Sequence, residues 1–269
     1  MSKIILVTGS TDGIGLITAK MLVEEGHKVI VHGRSVEKVK KVLSELISID
    51  ENAKVDGFIA DFSNMKQVKS MAEEVRHKYN KIDVLINNAG VFMASNTITV
   101  DNLDLRFAVN TIAPYLLTKL LLPIMDNSGR IINLSSAAQA PVNIGALAKA
   151  TRMTNDSAYA QSKLGITMWS NYMANDFINQ GNKPLVVSVN PKSFLASKMV
   201  KEAYGSDGHD IRIGGDILCR LALLEEFADA SGKYFDNDRG IFAMPHPDAL
   251  DEERNKAVVD CIENILAKV

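Results

Sequence analysis

Nothing in this chain narrows its fold more than the way it begins. Lys3 to Val7 is a run rich in β-branched residues that predicts a strand, and it passes into Thr8-Gly9-Ser10-Thr11-Asp12-Gly13-Ile14-Gly15. Ile14, Ile17, Met21 and Leu22 then recur at helical spacing until Gly26 stops the helix, and Lys28 to Val31 predicts a second strand. A glycine-rich turn between a strand and a helix is the context that a dinucleotide site requires. Glycine lets the backbone turn tightly and approach a pyrophosphate at the helix N-terminus, where amide donors and the helix dipole meet it. No Lys-Ser or Lys-Thr follows the last glycine, so the turn is not a Walker loop.

The end of the second predicted strand bears on the choice of cofactor. NAD sites usually carry an acid about 20 residues after the glycines, where it holds the ribose 2′-hydroxyl. Here Val31-His32-Gly33-Arg34-Ser35 has no acid and offers Arg34, whose guanidinium suits a 2′-phosphate. That favours NADP(H), although Asp12 is an unhelpful negative neighbour, and NAD(H) stays open as the alternative.

The alternation continues along the chain. Val36, Val39, Leu43 and Leu46 give a helical stripe, Val55 to Ala60 a strand ending at Asp61-Phe62, and Met65, Val68, Ala72 and Val75 another stripe. Ile82 to Ile86 predicts a strand running into Asn87-Asn88-Ala89-Gly90, and Leu105, Val109, Ile112, Leu116 and Leu120 mark one long apolar helix. Ile131 to Leu134 predicts a fifth strand ending in Ser135-Ser136. A helix follows from Tyr159 through Met168, Trp169 and Tyr172, then a sixth strand from Leu185 to Val189 ending at Asn190-Pro191. Strands separated by helices predict an α/β fold, a doubly wound parallel sheet covered on both faces with ligands at the strand C-termini. No linker divides residues 1–269, so a single domain is expected. In the long helix, Pro114 lacks the amide hydrogen that would bond the Asn110 carbonyl, which predicts a kink. Two readings of that kink are open: an ordered water held by the freed carbonyl, or a kink solvated from outside.

Charge and composition remove several function classes. Thirty basic against thirty-two acidic residues leave a net charge of −2, which offers no electrostatic case for nucleic acid or an anionic membrane. No apolar run reaches the roughly 20 residues of a membrane span, and Met-Ser-Lys leads into the first strand without a secretory cleavage pattern. Cys219 and Cys261 make neither a disulfide framework nor a metal site. A cytoplasmic protein is the expectation.

The proton chemistry points to Tyr159-Ala160-Gln161-Ser162-Lys163. Positions four apart share one helix face, and a nearby cation favours the phenolate of a tyrosine that otherwise titrates near pH ~10. Alone, such a spacing is common on exposed helices. In the order Thr8-Gly9-x-x-x-Gly13-Ile14-Gly15, Asn88-Ala89-Gly90, Asn110, Ser136 and Tyr159-x-x-x-Lys163, the chain resembles the classical short-chain dehydrogenase/reductases over residues 3 to 200.

That resemblance implies a single Rossmann-type domain with a sheet of about seven strands, the last near Gly232-Lys233-Tyr234-Phe235. It implies Tyr159 as the acid or base at the carbinol oxygen, with Lys163 lowering its pKa and binding the nicotinamide ribose. Ser136, preferred over Ser135, would bind the reacting oxygen, and Asn110 would hold a relay water through its main chain. Asp61 and Asn88 would lie near the adenine and its ribose, with Phe62, Ala89 and Gly90 beside them. Gly9, Gly13, Ile14 and Gly15 would lie near the pyrophosphate, and Ser10, Thr11, Asp12 and Pro191 would also belong to the cofactor-binding set.

Two departures stand out. Family members usually read Pro-Gly after the sixth strand, whereas here Lys192 follows Pro191, so its side chain points outward or crowds the ring edge. In addition, 22 residues separate Ser136 from Tyr159. The segment 137–157 is therefore a longer loop than in the shorter members and resembles the retinol-dehydrogenase-like ones. Residues 193–228 are expected to form a substrate lid, with Phe194, Leu195, Met199 and Tyr204 either contacting a hydrophobic substrate or packing the lid down. Residues 241–269 are expected to form a helical tail.

The implied activity is hydride transfer between NADP(H) and a carbonyl or alcohol. An NAD-dependent alcohol dehydrogenase and a non-catalytic NADP(H)-binding sensor are the alternatives, and the intact proton-transfer set argues against the sensor. A homodimer or homotetramer is expected from the family, unless the longer loop blocks those contacts.

Overall fold

The computed structural model describes residues 2–181, 184–205 and 207–269. Of the lid expectations, Ser206 and the Tyr204 side chain lie outside the described residues. Among the described residues eight strands form one sheet: β1 (Ile4–Val7), β2 (Lys28–Gly33), β3 (Val55–Ile59), β4 (Val84–Asn87), β5 (Arg130–Leu134), β6 (Leu185–Asn190), β7 (Tyr234–Asp236) and β8 (Ile241–Ala243). Their order is β3-β2-β1-β4-β5-β6-β7-β8. The first seven run parallel, while β8 pairs antiparallel with β7, Phe242 opposite Phe235. The chain winds outward one way from β1 and the other way from β4, so their adjacent C-terminal ends make the crevice where such sheets bind ligands.

Strand periodicity explains the two cores. Successive side chains face opposite ways, so Leu6, Ile30, Leu85, Ile131 and Val186 join one buried cluster, and Ile5, Val29, Val84, Ile132 and Val187 join the other. On the first face lie α3 (Met65–Lys78), α5 (Ala113–Leu121), α7 (Asn155–Asn179) and α10 (Glu252–Leu266). The second carries α1 (Gly13–Glu24), α2 (Val36–Ile49) and α9 (Arg212–Leu223).

The expected single apolar helix differs in detail. It is built from α4 (Leu105–Phe107), a π-turn over Ala108–Ile112, and α5. The Ala113 amide reaches five residues back to the Ala108 carbonyl. Pro114 has no amide to give the Asn110 carbonyl, and the wider π-turn absorbs that break just before it. Residues Leu105–Ile124 are, by length and a mean hydropathy of 1.4, apolar enough to cross a membrane, which corrects the reading that no run approaches that length. In this fold 67% of that window is buried, as a core helix requires.

The tail also departs from expectation, because residues 241–243 form β8 before the helix begins. Phe242 packs edge-on against Phe227 and Phe235, with centroids 5.9 and 5.3 Å away. Beyond it α10 docks on α5 and α7. Glu263 accepts from Tyr115 and Lys119, and Asn171 and Asn255 both donate to the Ala249 carbonyl at 2.8 and 2.9 Å. The longer loop before Tyr159 contains a short helix, α6 (Ile144–Ala148), packed against α10. Both cysteines are free and buried.

Candidate active site

The glycine turn after β1 is shaped by close approach. Gly9 holds φ at 63°, and a Cβ there would lie 2.8 Å from the Ala89 Cα. A Cβ on Gly15 would meet Asn88 Nδ2 at 2.4 Å and the Gly9 carbonyl at 2.6 Å, so only glycine fits. Asn88 donates from Nδ2 to the Thr8 and Gly9 carbonyls at 2.8 and 3.1 Å, and Thr8 Oγ1 accepts from the Asn88 and Ala89 amides at 3.0 Å. The β1 and β4 loops are thereby stitched together. Asp12 caps α1 by accepting from the Gly13 amide at 2.8 Å. Ser10 is fully buried, and its hydroxyl donates to the Val7 carbonyl at 2.8 Å while accepting from the His32 amide at 2.9 Å.

His32, which the sequence did not single out, fastens the turn to β2. Its Nδ1 accepts from the Gly9 amide at 3.1 Å, its Nε2 pairs with the Ala60 carbonyl at 3.0 Å, and its ring stacks on Phe62 at 4.2 Å. Accepting at Nδ1 while donating from Nε2 requires the neutral imidazole. Burial lowers its pKa to about 4. The unfolded chain therefore takes up a proton that the fold refuses between about pH 6.5 and 4, so stability falls as pH drops through that window. The full loss is about 3 kcal/mol. Urea unfolding at pH 7 and at pH 4.5 should show the wild type losing more stability than His32→Gln; equal losses in the two proteins contradict this role.

At the other end of the crevice, α7 presents Tyr159 and Lys163. Lys163 Nζ donates to the Leu134 carbonyl at 2.8 Å and sits 5.6 Å from the centroid of the Tyr159 ring. Burial pushes the lysine's pKa down to about 8. Phe92 meets the Tyr159 ring edge-on at 4.9 Å. Asn110, in the π-turn, is buried and fully engaged by its side chain. Its Oδ1 accepts from the Val91 amide at 2.8 Å, and its Nδ2 donates to the Val91 carbonyl and Ser162 Oγ, both at 2.9 Å. The amide group thus ties the β4 loop to α7, so any water-binding role falls to the main chain.

The paired serines separate clearly. Ser135 is buried, and its hydroxyl lies 2.7 Å from Thr167 Oγ1 and 3.0 Å from the Lys163 carbonyl, joining β5 to α7. Ser136 is half-buried, and its Oγ accepts from the Ala138 amide at 3.1 Å. Its carbonyl accepts from Tyr234 and Gln139, both at 3.0 Å.

These residues border one cleft of ≈ 440 Å³, within the range of small-molecule sites. Gly9, Thr11, Asp12, Gly13, Ile14, Arg34, Asp61, Phe62, Asn88, Ala89, Gly90, Tyr159, Lys163 and Pro191 line it, whereas Ser10, Gly15, Asn110 and Ser136 are not among its lining residues, and of the two serines it is Ser135 that lines it. Lys38, in the first turn of α2, also lines it and was not foreseen. Phe92, Met93, Leu105, Val109 and Met199 give apolar walls. The segment that follows β6 divides its tasks. Met199 of α8 (Lys198–Tyr204) faces the cleft, while Leu195 is buried over Gly214, where an added Cβ would come within 2.5 Å of it. Phe194 is 53% exposed. Glycine cradle, paired cations and the lysine opposite fit the phosphates and ribose of a dinucleotide.

The family model for short chain dehydrogenases matches residues 3–206. Human retinol dehydrogenase 13 is 31% identical over 270 residues, covering 93% of this chain and 80% of that protein. Human polyprenol dehydrogenase is 32% identical over 220 residues, covering 76% and 67%. Among solved structures, an uncharacterized protein from Mycobacterium paratuberculosis matches with a TM-score of 0.82 at 21% identity, covering 98% of this chain and 92% of that one. A short chain dehydrogenase from Burkholderia cenocepacia in complex with NADP matches with a TM-score of 0.72 at 22% identity, covering 89% and 97%. At those identities the structural likenesses bear on the fold.

Proposed function

Because the chain belongs to the short-chain dehydrogenase/reductase family of NAD(P)-dependent oxidoreductases, we propose that it moves a hydride between NADP(H) and a carbonyl or alcohol with a hydrophobic body. One observation carries the reading: the glycine turn, Arg34 and the Tyr159–Lys163 pair all border the same cleft. The nicotinamide cofactor supplies the hydride chemistry; the chain's own residues orient the substrate and move one proton. Tyr159 gives its phenolic proton to the substrate oxygen in reduction and takes it back in oxidation. Lys163 favours the phenolate through its charge and offers a donor to the nicotinamide ribose. Ser136 Oγ accepts from the Ala138 amide and so keeps its own proton to donate to the reacting oxygen, with Ser135, which lines the cleft, as its rival, and Asn110 fixes the Val91 backbone and α7 in register. Phe92, Met93, Leu105, Val109 and Met199 support an apolar substrate body.

Arg34 and Lys38 at the far end of the cleft support a 2′-phosphate, and the complex of the Burkholderia cenocepacia enzyme with NADP agrees with that choice. Calorimetry should find NADPH bound more tightly than NADH, and Arg34→Ala should weaken NADPH by about tenfold, the loss of one charge-assisted contact, without weakening NADH. Tighter binding of NADH by the wild type sinks the assignment of Arg34.

A further inference from the structure

The turn between β7 and β8 makes a set of contacts that the proton chemistry leaves unexplained. It grips the loop that leaves β6. The Asn237 amide donates to the Asn190 carbonyl at 3.1 Å, and Asn237 Nδ2 donates to the Pro191 carbonyl at 3.0 Å. Asn190 Nδ2 donates to Asp236 Oδ1 at 3.0 Å and to Asp238 Oδ2 at 2.8 Å. Ser193 completes the grip, its amide reaching Asp238 Oδ1 at 2.9 Å and its hydroxyl Asp238 Oδ2 at 2.6 Å.

Between these anchors, Lys192 holds φ at 122°, a region that side-chain-bearing residues occupy only under strain. Pro191, directly before it, lines the cleft with Tyr159 and Lys163. Lys192 itself does not line the cleft, and its charge acts on Asp238. Partial desolvation of the gripped carboxylate opposes ionisation of Asp238, an otherwise exposed residue, but the Ser193 and Asn190 hydrogen bonds and the Lys192 charge together hold its carboxyl below the usual carboxylate range. It is therefore an anion at neutral pH and a strong acceptor.

We infer that Asp238 is a positioning residue for the cofactor: it clamps Ser193 and Asn190 so that Lys192 stays in its strained conformation and Pro191 keeps its place at the cleft. A loop released from Asp238 relaxes toward negative φ at Lys192, which turns the Pro191–Lys192 peptide and moves the cleft wall. Glycine at 192 removes the strain and with it the need for the clamp. The inference rests on the nicotinamide chemistry proposed above only for its functional readout, because the clamp itself is independent of any ligand.

The test uses Asp238→Ala, Lys192→Gly and the double variant. Asp238 is exposed and lies in a turn, so the melting temperature of Asp238→Ala should stay close to that of the wild type. Its NADPH affinity should fall by about tenfold, the scale of one lost charged hydrogen bond, and amide exchange over residues 190–194 should accelerate. Adding Lys192→Gly to Asp238→Ala should restore most of the affinity, which a merely destabilised fold would not do. Unchanged affinity and exchange in Asp238→Ala overturn the inference, and so does an affinity loss that Lys192→Gly leaves in place. If the wild type binds neither NADPH nor NADH, the functional reading is what fails. Amide exchange then still judges the clamp: faster exchange in Asp238→Ala sustains it, and unchanged exchange overturns it.

Discussion

Replacing Tyr159 with Phe should lower kcat for carbonyl reduction by on the order of 10³-fold, the scale of a lost proton-transfer group, while NADPH affinity stays close to that of the wild type. The change removes one hydroxyl and keeps the ring. Phe92 retains its edge contact at 4.9 Å, and the Lys163 ammonium keeps a ring surface 5.6 Å away. The glycine turn and Arg34 lie at the far end of the cleft and lose nothing. Steady-state turnover paired with calorimetry separates the two effects. Turnover equal to that of the wild type rules out Tyr159 as the proton carrier, and a matching loss of NADPH affinity shows that the phenol acts on binding instead.

The second large effect distinguishes the two serines. Ser136→Ala should reduce kcat by on the order of 10²- to 10³-fold, as removal of a donor to a reacting oxygen does, with little change in stability, since Ser136 Oγ serves only the Ala138 amide among the described residues. Ser135→Ala should do the reverse. Its buried hydroxyl joins β5 to α7 through Lys163 and Thr167, and leaving those groups unpaired costs about 1–3 kcal/mol. Measured kcat and urea midpoints for both variants decide the matter. A large catalytic loss in Ser135→Ala alone, with Ser136→Ala near wild type, transfers the role to the first serine.

What could be read in advance is what local spacing encodes. The glycine turn shows itself because strand, glycines and helix are contiguous, and Tyr159 with Lys163 because four residues on a helix make one face. The parallel sheet followed from strands separated by helices, because parallel neighbours need a crossover connection that a helix supplies. β8 was missed because three residues carry too little periodicity to register, and its pairing with β7 depends on Phe242 finding Phe227 and Phe235 in space.

His32 and Lys38 were missed for different reasons. The His32–Gly9 bond joins β2 to the turn after β1, which no spacing rule announces; Lys38 could have been found as the cation in the first turn of the helix that follows Arg34. The π-turn was half legible. Pro114 announced a break, but which wider hydrogen bond would absorb it depends on Asn110 being tied to Val91 and Ser162. For Lys192 the sequence offered two side-chain directions, and the structure turns it toward Asp238, a partner on a strand turn much later in the chain.

The most direct test of catalysis supplies the wild-type protein with NADPH deuterated at C4 and a panel of apolar aldehydes and ketones, and follows both NADPH consumption and the label. The account predicts that NADPH is consumed with at least one member of the panel, that deuterium appears on the product's carbinol carbon, and that Tyr159→Phe is nearly silent with the same substrate. NADPH that binds in the cleft but is consumed with no member of the panel contradicts it and leaves a nucleotide-binding protein without this chemistry.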